Sequence, residues 1–420
     1  MPRVWDVPVH DSTRVRDVRV AAEEAAAVAG LDERQTAAAA LVASELATNL
    51  LKHAEGGEVL IDVVAPPLLR GGPQDFRVVQ IAALDHGPGM PDLATALRDG
   101  FTTTGSLGAG LGTCLRLADD FDLHSVLGRG TVAVARVGRV PRRRGLLRLG
   151  SALAGPIGGL HGAPQAVRAV RHTADGAGAS PAPAARDDRP GGVPAGRPAP
   201  GGRGGSPEGP GSGRAPVGRV RAGGVNVPFA GAAYSGDAWT WVRAEDRVTL
   251  MMADGLGHGP EAARASTAAV EALHRAAHLT PAEALRELHS ALGGTRGAAV
   301  AVAQLDLRSR RLRFAGIGNI GARLRQDGAW RSLLSRPGIV GVHRPGTLRE
   351  EEAAWGDDRM LILHTDGLPS RWTPPSDPDL PRADPAVTAA VTIRDASSSA
   401  RPVRDDTAVA VLTETPSDRP

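Results

Sequence analysis

Between residue 141 and about residue 222 the chain has almost nothing from which to build a core. The run PAPAARDDRPGGVPAGRPAPGGRGGSPEGPGSGRAP is mostly proline, glycine, alanine and arginine. Such a sequence buries too little apolar surface to offset the entropy of ordering it. The 420-residue chain is thereby cut into two parts, and each must fold around its own core. The expected organisation is a folded region over 1–140, a disordered Pro/Gly/Arg-rich linker over 141–222, and a second folded region over 223–415. Both flanking regions alternate strand-like and helical patterns, with no repeat at solenoid spacing.

The linker also holds the chain's basicity. Residues 139–221 contain 14 Arg against the four acids Asp175, Asp187, Asp188 and Glu208. The whole chain is +3, so an excess of ten there leaves the rest near −7. Positive charge in a low-complexity segment, without interleaved aromatics, supports weak attraction to polyanions but no specific nucleic-acid recognition. One cysteine, Cys114, allows no intrachain disulfide and fits a reducing cytoplasm. The opening residues MPRVWDVPVHDSTRVRD lack the apolar stretch of a signal peptide, and no run reaches the roughly 18 apolar residues of a membrane span. A cytoplasmic protein without a membrane anchor is expected.

In the first region, the helix DERQTAAAALVASELATNLLKHA carries Glu45 and Asn49 four residues apart, hence on one face. They border the apolar stripe of Val42, Leu46 and Leu50, where a ligand can reach them. Downstream, the strand of FRVVQIAALDHGPGM ends in Asp85, followed by Gly87 and Gly89, which let a ligand approach the backbone closely. Then GFTTTGSLGAGLGTCLRLADDF places Gly105, Gly108, Gly110 and Gly112 in a loop entering a helix from about Gly112. Free N–H groups at such a helix start suit phosphates. Cys114 reads as a small packed residue.

The order E-x-x-x-N, D-x-G-x-G, G-x-x-G-x-G-x-G resembles the GHKL ATPase/kinase superfamily, and over about residues 10–138 its RsbT-type serine/threonine kinases. The resemblance implies a Bergerat-type α/β sandwich binding ATP with Mg²⁺. Asn49 would help hold Mg²⁺, Asp85 would accept the adenine amino group, Gly87 and Gly89 would shape the pocket, and the Gly108–Gly110–Gly112 loop would cover the phosphates. Glu45 would take the proton from a substrate hydroxyl.

In the second region, SGDAWTWVRAEDRVTLMMADGLGHG alternates on both sides of AED, which predicts a hairpin. If Trp241 pairs with Leu250 across a turn centred on Glu245-Asp246, that register sets Asp237 opposite Asp254. Directly paired residues have Cα atoms about 4.5–5.5 Å apart. Carboxylates held so close repel, and cations would relieve them. RMLILHTDGL ends a strand in Asp366-Gly367, and RDDTAVAVL sets Asp405-Asp406 before another. Four strand-end carboxylate positions meeting at one end of a sheet would make an all-oxygen site suited to Mg²⁺ or Mn²⁺. Two aspartates at strand ends near turns remain the plain alternative.

GD, ADGLGHG, HTDGL and DDTAV, in that order, resemble the SpoIIE-like branch of the metal-dependent PPM serine/threonine phosphatases. GTRGAAVAVAQLD and FAGIGNIGARL are most similar to its RsbX-type members. This resemblance, over about residues 224–413, implies a two-metal displacement at phosphorus. Asp237, Asp254, the Gly255 carbonyl, Asp366 and Asp405 would be the metal ligands, and Asp406 would act behind them. His258 is read as a proton donor or loop-shaping residue, and Arg296 as a phosphate clamp or structural ion-pair partner.

The fold class expected is therefore a two-domain α/β (α+β) protein, an N-terminal GHKL sandwich and a C-terminal PPM-type α-β-β-α sandwich. The function expected is a bifunctional regulator that phosphorylates STAS-domain partners (anti-sigma antagonists or stressosome-type proteins) and removes phosphate from phosphoserine or phosphothreonine. A linker of about 80 residues would let both domains reach a shared target. The alternative is a phosphatase whose ATP domain only binds a partner, as an anti-sigma-like switch. An enzyme acting on small phosphate esters is less favoured.

Overall fold

Acidic caps and alanine-rich faces define the first two helices. In the computed structural model, which describes residues 3–64, 77–91, 93, 110–138, 219–356, 358–397, 403 and 405–415, α1 (Ser12–Val28) is capped by Asp11 and α2 (Glu33–His53) by Asp32 in a capping box with Gln35. The expected disorder of the linker falls almost wholly outside these residues, as does Gly108. α2 buries Ala39, Val42, Ala43, Leu46, Ala47 and Leu50. Small residues let it pack closely on α1 and on a five-stranded antiparallel sheet. The strands are β1 (Trp5–Val9), β2 (Gly57–Val64), β3 (Val78–Leu84), β4 (Asp120–Val126) and β5 (Gly130–Gly138), in the order β1-β2-β3-β5-β4. α3 (Gly110–Leu117) starts two residues earlier than the glycine pattern suggests.

The second part is a four-layer sandwich. One sheet has the order β13-β10-β9-β8-β7, from β7 (Asp237–Ala244), β8 (Arg247–Gly255), β9 (Ala298–Asp306), β10 (Arg311–Ile317) and β13 (Glu351–Ala354). The other has the order β12-β11-β14-β15-β6, from β6 (Arg219–Val227), β11 (Gly321–Gln326), β12 (Ala329–Leu333), β14 (Met360–His364) and β15 (Thr407–Thr415). β6 begins inside the segment expected as linker, because RVRAGGVNV pairs along the whole of β15. Trp241, Leu250, Met252, Leu361, Leu363 and Ala410 fill the space between the sheets. Helices α4 (Pro260–Arg275) and α5 (Pro281–Ala291) cover the first sheet, and α6 (Pro385–Ala396) covers the second.

The two folded parts are not joined by a tether alone. Every residue of α6 from Pro385 to Arg394 is buried, because the helix lies between the second sandwich sheet and the outer face of the N-terminal sheet. Leu60, Ala82, Leu84, Val132 and Val134 point into one cluster with Val387, Val391 and Val409. Their strand neighbours Val59, Ile61, Ile81, Ala83 and Ala135 point the other way, onto α1 and α2. This is the period-2 alternation of a sheet with both faces covered.

Polar groups complete the interface. Arg136 donates to both oxygens of Asp384 at 2.9 and 2.7 Å, to Asp120 at 2.7 Å and to Gln80 at 3.0 Å. Gln80 in turn donates to the Gly224 carbonyl at 2.9 Å, and Asp384 N–H to Asp122 Oδ2 at 2.6 Å.

Asp122 is pushed up to about 7, first by burial and then by the Asp384 charge, against two backbone N–H bonds that lower it. A carboxyl raised from its ordinary value of 3.8 leaves stability full below pH 4 and loses it as pH rises towards 7. Asp122→Asn keeps an acceptor for Asp384 N–H. It is expected to raise unfolding free energy at pH 8 by ~1–3 kcal/mol and to leave it nearly unchanged at pH 4. Urea unfolding at the two pH values checks this; equal shifts at both would exclude titration as the cause.

Candidate functional site

The N-terminal site is assembled where α2, the end of β3 and the start of α3 meet. Asp85 follows β3 directly and is buried. Its Oδ1 accepts from Gly87 N–H at 2.8 Å and Thr131 N–H at 3.0 Å. The carboxylate is thereby fixed through one oxygen, which leaves Oδ2 for a ligand's donor.

Gly87 and Gly89 have steric reasons to be glycine. A Cβ at Gly87 would lie 2.8 Å from Ala54 at the end of α2, and one at Gly89, where φ is +72°, would lie 2.3 Å from the Val126 carbonyl oxygen. On α2, the Asn49 carboxamide faces α3, and a Cβ at Gly110 would stand 3.2 Å from its Oδ1. Among the described residues Asn49 Nδ2 is buried without a hydrogen-bond partner, a cost that a bound ligand would remove.

Glu45 lies one turn earlier, close enough to Cys114 that its charge, after burial, helps push that thiol up to about 12. Cys114 is an inert packed residue. Glu45, Asn49, Asp85, Gly87, Gly89, Gly110 and Gly112 thus surround the same corner. The Gly110 cradle and the orphaned amide fit a phosphate-bearing ligand with its Mg²⁺.

In the sandwich, Asp237 pairs with Asp254 and Trp241 with Leu250, the register read from the sequence, with Glu245 at φ +51° in the turn. Asp237 is fully buried, and its Oδ2 accepts from Thr365 Oγ1 at 2.6 Å. Burial, then the neighbouring Asp254, holds its pKa well above the usual carboxylate range, opposed by the Thr365 bond. Asp254 is pushed up to about 7 by burial, then by Asp366, Asp405 and Asp406. These carboxylates therefore share one field. Asp366 Oδ2 accepts from Asn319 Nδ2 at 2.7 Å, and Asp405 is exposed at the rim.

Gly255 sits so close to α4 that a Cβ would meet the Ala262 carbonyl oxygen at 2.1 Å. Gly367 must be glycine because the Asp366 loop crosses the Asp406 backbone, with a Cβ position 2.3 Å from its carbonyl oxygen. Asp406 accepts from Phe229 N–H at 2.8 Å and Gly236 N–H at 2.7 Å, so it shapes the loop leading into Asp237. Arg296 lies against Gly257, beside the exposed His258.

Among the described residues, no group of three or more His, Cys, Asp or Glu side chains is closed into a metal-holding set. Asp237 and Asp366 turn to Thr365 and Asn319. The donor chemistry, carboxylates strained by mutual repulsion beside a carbonyl, nonetheless fits a hard divalent cation. Thr365, Asn319 and Asn226, which donates to the Asp237 carbonyl at 2.8 Å, are the supporting residues that sequence reasoning passed over. Thr365 lies inside HTDGL and Asn319 inside FAGIGNIGARL, so their proximity in sequence to the motifs was the available signal.

Residues 9–136 match the histidine kinase-like ATPase domain, and residues 244–413 match Stage II sporulation protein E (SpoIIE). The chain carries a histidine kinase-like ATPase domain ahead of a SpoIIE-type domain. Over 88 residues it is 44% identical to the serine/threonine-protein kinase RsbT of Bacillus subtilis (strain 168), an alignment spanning 21% of this chain and 61% of RsbT.

Among solved structures, RsbX in complex with magnesium is 19% identical with a TM-score of 0.40, over 47% of this chain and 96% of that one. The PP2C phosphatase domain of SpoIIE from Bacillus subtilis is 18% identical with a TM-score of 0.40, over 47% and 64%. Among the described residues no helix is long and apolar enough to cross a membrane.

Proposed function

We propose that this chain is a bifunctional regulator of protein phosphorylation, acting in the cytoplasm on STAS-type partners. The observation that carries the phosphatase half is the apposition of Asp237 and Asp254, with Asp366 and Asp405 in the same field. Asp237, Asp254, the Gly255 carbonyl, Asp366 and Asp405 would hold Mg²⁺ or Mn²⁺. When bound, these ions would neutralise phosphoryl oxygens and make water nucleophilic at neutral pH. Thr365 and Asn319 hold two of the carboxylates at fixed angles. Arg296, which lies against Gly257, would bind the phosphoryl group of a phosphoserine or phosphothreonine. Hydrolysis adds water across the P–O bond, returning the side-chain hydroxyl and inorganic phosphate.

The kinase half is supported by Asn49 facing Gly110 at the start of α3, by Glu45 near Cys114 of the same helix, and by the likeness to RsbT. Asp85 would accept from the adenine amino group, Asn49 would help hold ATP-bound Mg²⁺, and Glu45 would take the proton from a serine or threonine hydroxyl attacking the γ-phosphorus, with ADP leaving. The second reading keeps the same pocket but no transfer: the ATPase domain captures a partner in an ATP-dependent way. The Asn49 amide, unpartnered among the described residues, supports nucleotide binding in both readings.

The discriminating experiment uses Asp366→Asn, in which transferred phosphate should persist. Incubation with Mg²⁺-ATP and STAS-domain proteins, followed by phosphosite mapping by mass spectrometry, is expected to find phosphoserine or phosphothreonine that disappears when Glu45→Ala is added. Partner capture without phosphate would leave the switch reading and a single catalytic site.

A further inference from the structure

The Asp85 corner is built by both domains. Asp85 is locked to Thr131 twice, through its Oδ1 and through its own N–H, which donates to the Thr131 carbonyl at 3.0 Å. The turn leading into Thr131 is clasped to the segment after Asp85: Gly128 N–H donates to the Pro88 carbonyl and Met90 N–H to Ser125 Oγ, both at 2.8 Å. Gly130, in this turn, is buried, and Ser125 Oγ of the same domain donates a long bond of 3.5 Å to its carbonyl oxygen. The same oxygen accepts from Arg394 Nη1, of the second domain, at 3.2 Å.

Arg394 is only 1% exposed, an unusual burial for an arginine at the end of a helix. Its Nε and Nη2 both donate to Asp395, at 2.9 and 2.8 Å, and Asp395 also faces Arg129 in the same turn. The Arg394 backbone takes part as well. Its carbonyl oxygen lies 3.0 Å from His86 Nε2, with the Ser397 carbonyl at 3.3 Å from the same atom. Both partners are acceptors, so Nε2 carries the proton. One residue of α6 thus grips the Asp85-His86 strand end through its main chain and the Gly130-Thr131 turn through its side chain.

We propose that Arg394 is a positioning residue of the nucleotide site: from the second domain it fixes the Gly130–Thr131 backbone that orients the Asp85 carboxylate towards an adenine amino group. The inference rests on the reading of Asp85 as the adenine acceptor. Its physical content is preorganisation. A carboxylate held by two N–H donors before the ligand arrives loses less freedom on binding, and only a group aimed at the amino position distinguishes adenine from a purine with a carbonyl there. It follows that the first domain's base selectivity depends on a residue of the second.

The test measures dissociation constants of ADP and IDP on the full chain by calorimetry, with p-nitrophenyl phosphate hydrolysis as a check that the second domain is intact. Arg394→Met keeps the buried length but removes the donor. It is expected to weaken ADP binding roughly five- to tenfold and to erode the ADP-over-IDP preference by a similar factor. Arg394→Lys, which can still reach the Gly130 carbonyl, should recover part of the preference. A merely structural role would leave the ratio of the two constants unchanged, and that result in folded Arg394→Met overturns the inference.

If Arg394→Met does not fold, His86→Ala replaces it. His86 is exposed, so its loss should spare the core while freeing the same corner, with the ratio falling roughly threefold. An unchanged ratio there overturns the inference. Wild type without adenine preference, or Asp85→Asn that keeps it, overturns the underlying Asp85 reading and this inference together. A preference lost in Asp85→Asn but intact in Arg394→Met overturns the Arg394 role alone.

Discussion

Asp384→Ala is expected to destabilise the protein by about 3–5 kcal/mol, because it leaves the Arg136 guanidinium buried and short of its bidentate partner. The Arg136 side chain is 3% exposed and that of Asp384 6%, so water cannot replace the lost bonds. Burial alone would raise the Asp384 pKa, but Arg136 outweighs it and holds the carboxyl below its ordinary value. Asp384 also caps α6, accepting from Ala386 N–H at 2.9 Å, and losing a cap adds about 1 kcal/mol.

The sign of the pH effect follows. Stability from Asp384 is present above its unfolded value near 3.8 and is lost as pH falls through the lower folded value. The mutational cost should therefore be full at neutral pH and shrink in strong acid, the opposite of Asp122. Urea unfolding followed by tryptophan fluorescence, which reports mainly the tryptophan-rich second domain, should show the loss. The double variant Arg136→Leu/Asp384→Leu should recover only part of it: neither member of the pair is left charged and buried alone, but Gln80 and Asp120 lose a donor and α6 loses its cap. A cost below about 1 kcal/mol for Asp384→Ala would mean that the docked interface does not form in solution.

That interface marks the limit of what the sequence discloses. The strands, the hairpin register and the corners bearing Asp85, Asp237 and Asp254 follow from alternation and turn chemistry, which act locally. Asp237 opposite Asp254 needed only the count from the turn at Glu245-Asp246. Docking needed a different kind of reading. β3, VVQIAAL, is buried at every position, and α6 has no polar face over most of its length. Both patterns say that two sides are covered, but neither says by what.

Arg136, Gln80, Asp384 and Arg394 are equally silent in sequence. An arginine near a strand or helix end normally points to solvent, and only partners far along the chain convert these into buried donors. The supporting residues Thr365 and Asn319 were missed for a related reason. A hydroxyl or an amide becomes a carboxylate's partner through the crossing of β14 and the loop before β11, which no local pattern encodes.

Asp237→Asn should separate activity from stability more sharply than any other change. As the most buried of the proposed metal-binding carboxylates, it is expected to lower turnover on p-nitrophenyl phosphate with Mn²⁺ roughly a thousandfold or more, since each 1.36 kcal/mol of lost barrier reduction is tenfold. In the metal-free protein the same substitution should stabilise. Asp237 is buried beside Asp254, with Asp366 and Asp406 nearby, and its ionised form is disfavoured by all three. Asparagine of the same shape keeps an acceptor for Thr365 Oγ1 and carries no charge.

Thermal unfolding in chelator should therefore shift upward by several degrees in Asp237→Asn, while added Mn²⁺ should raise the midpoint in wild type and much less in the variant. Loss of activity together with a lowered midpoint in chelator would indicate a damaged core and remove the argument from repulsion. Retained activity would remove Asp237 from the metal site, and with it the proposed phosphatase centre. Catalytic carboxylates that destabilise the fold they sit in are what a functional site predicts. Two aspartates that merely end strands at a turn would have no reason to stay buried, adjacent and repelling.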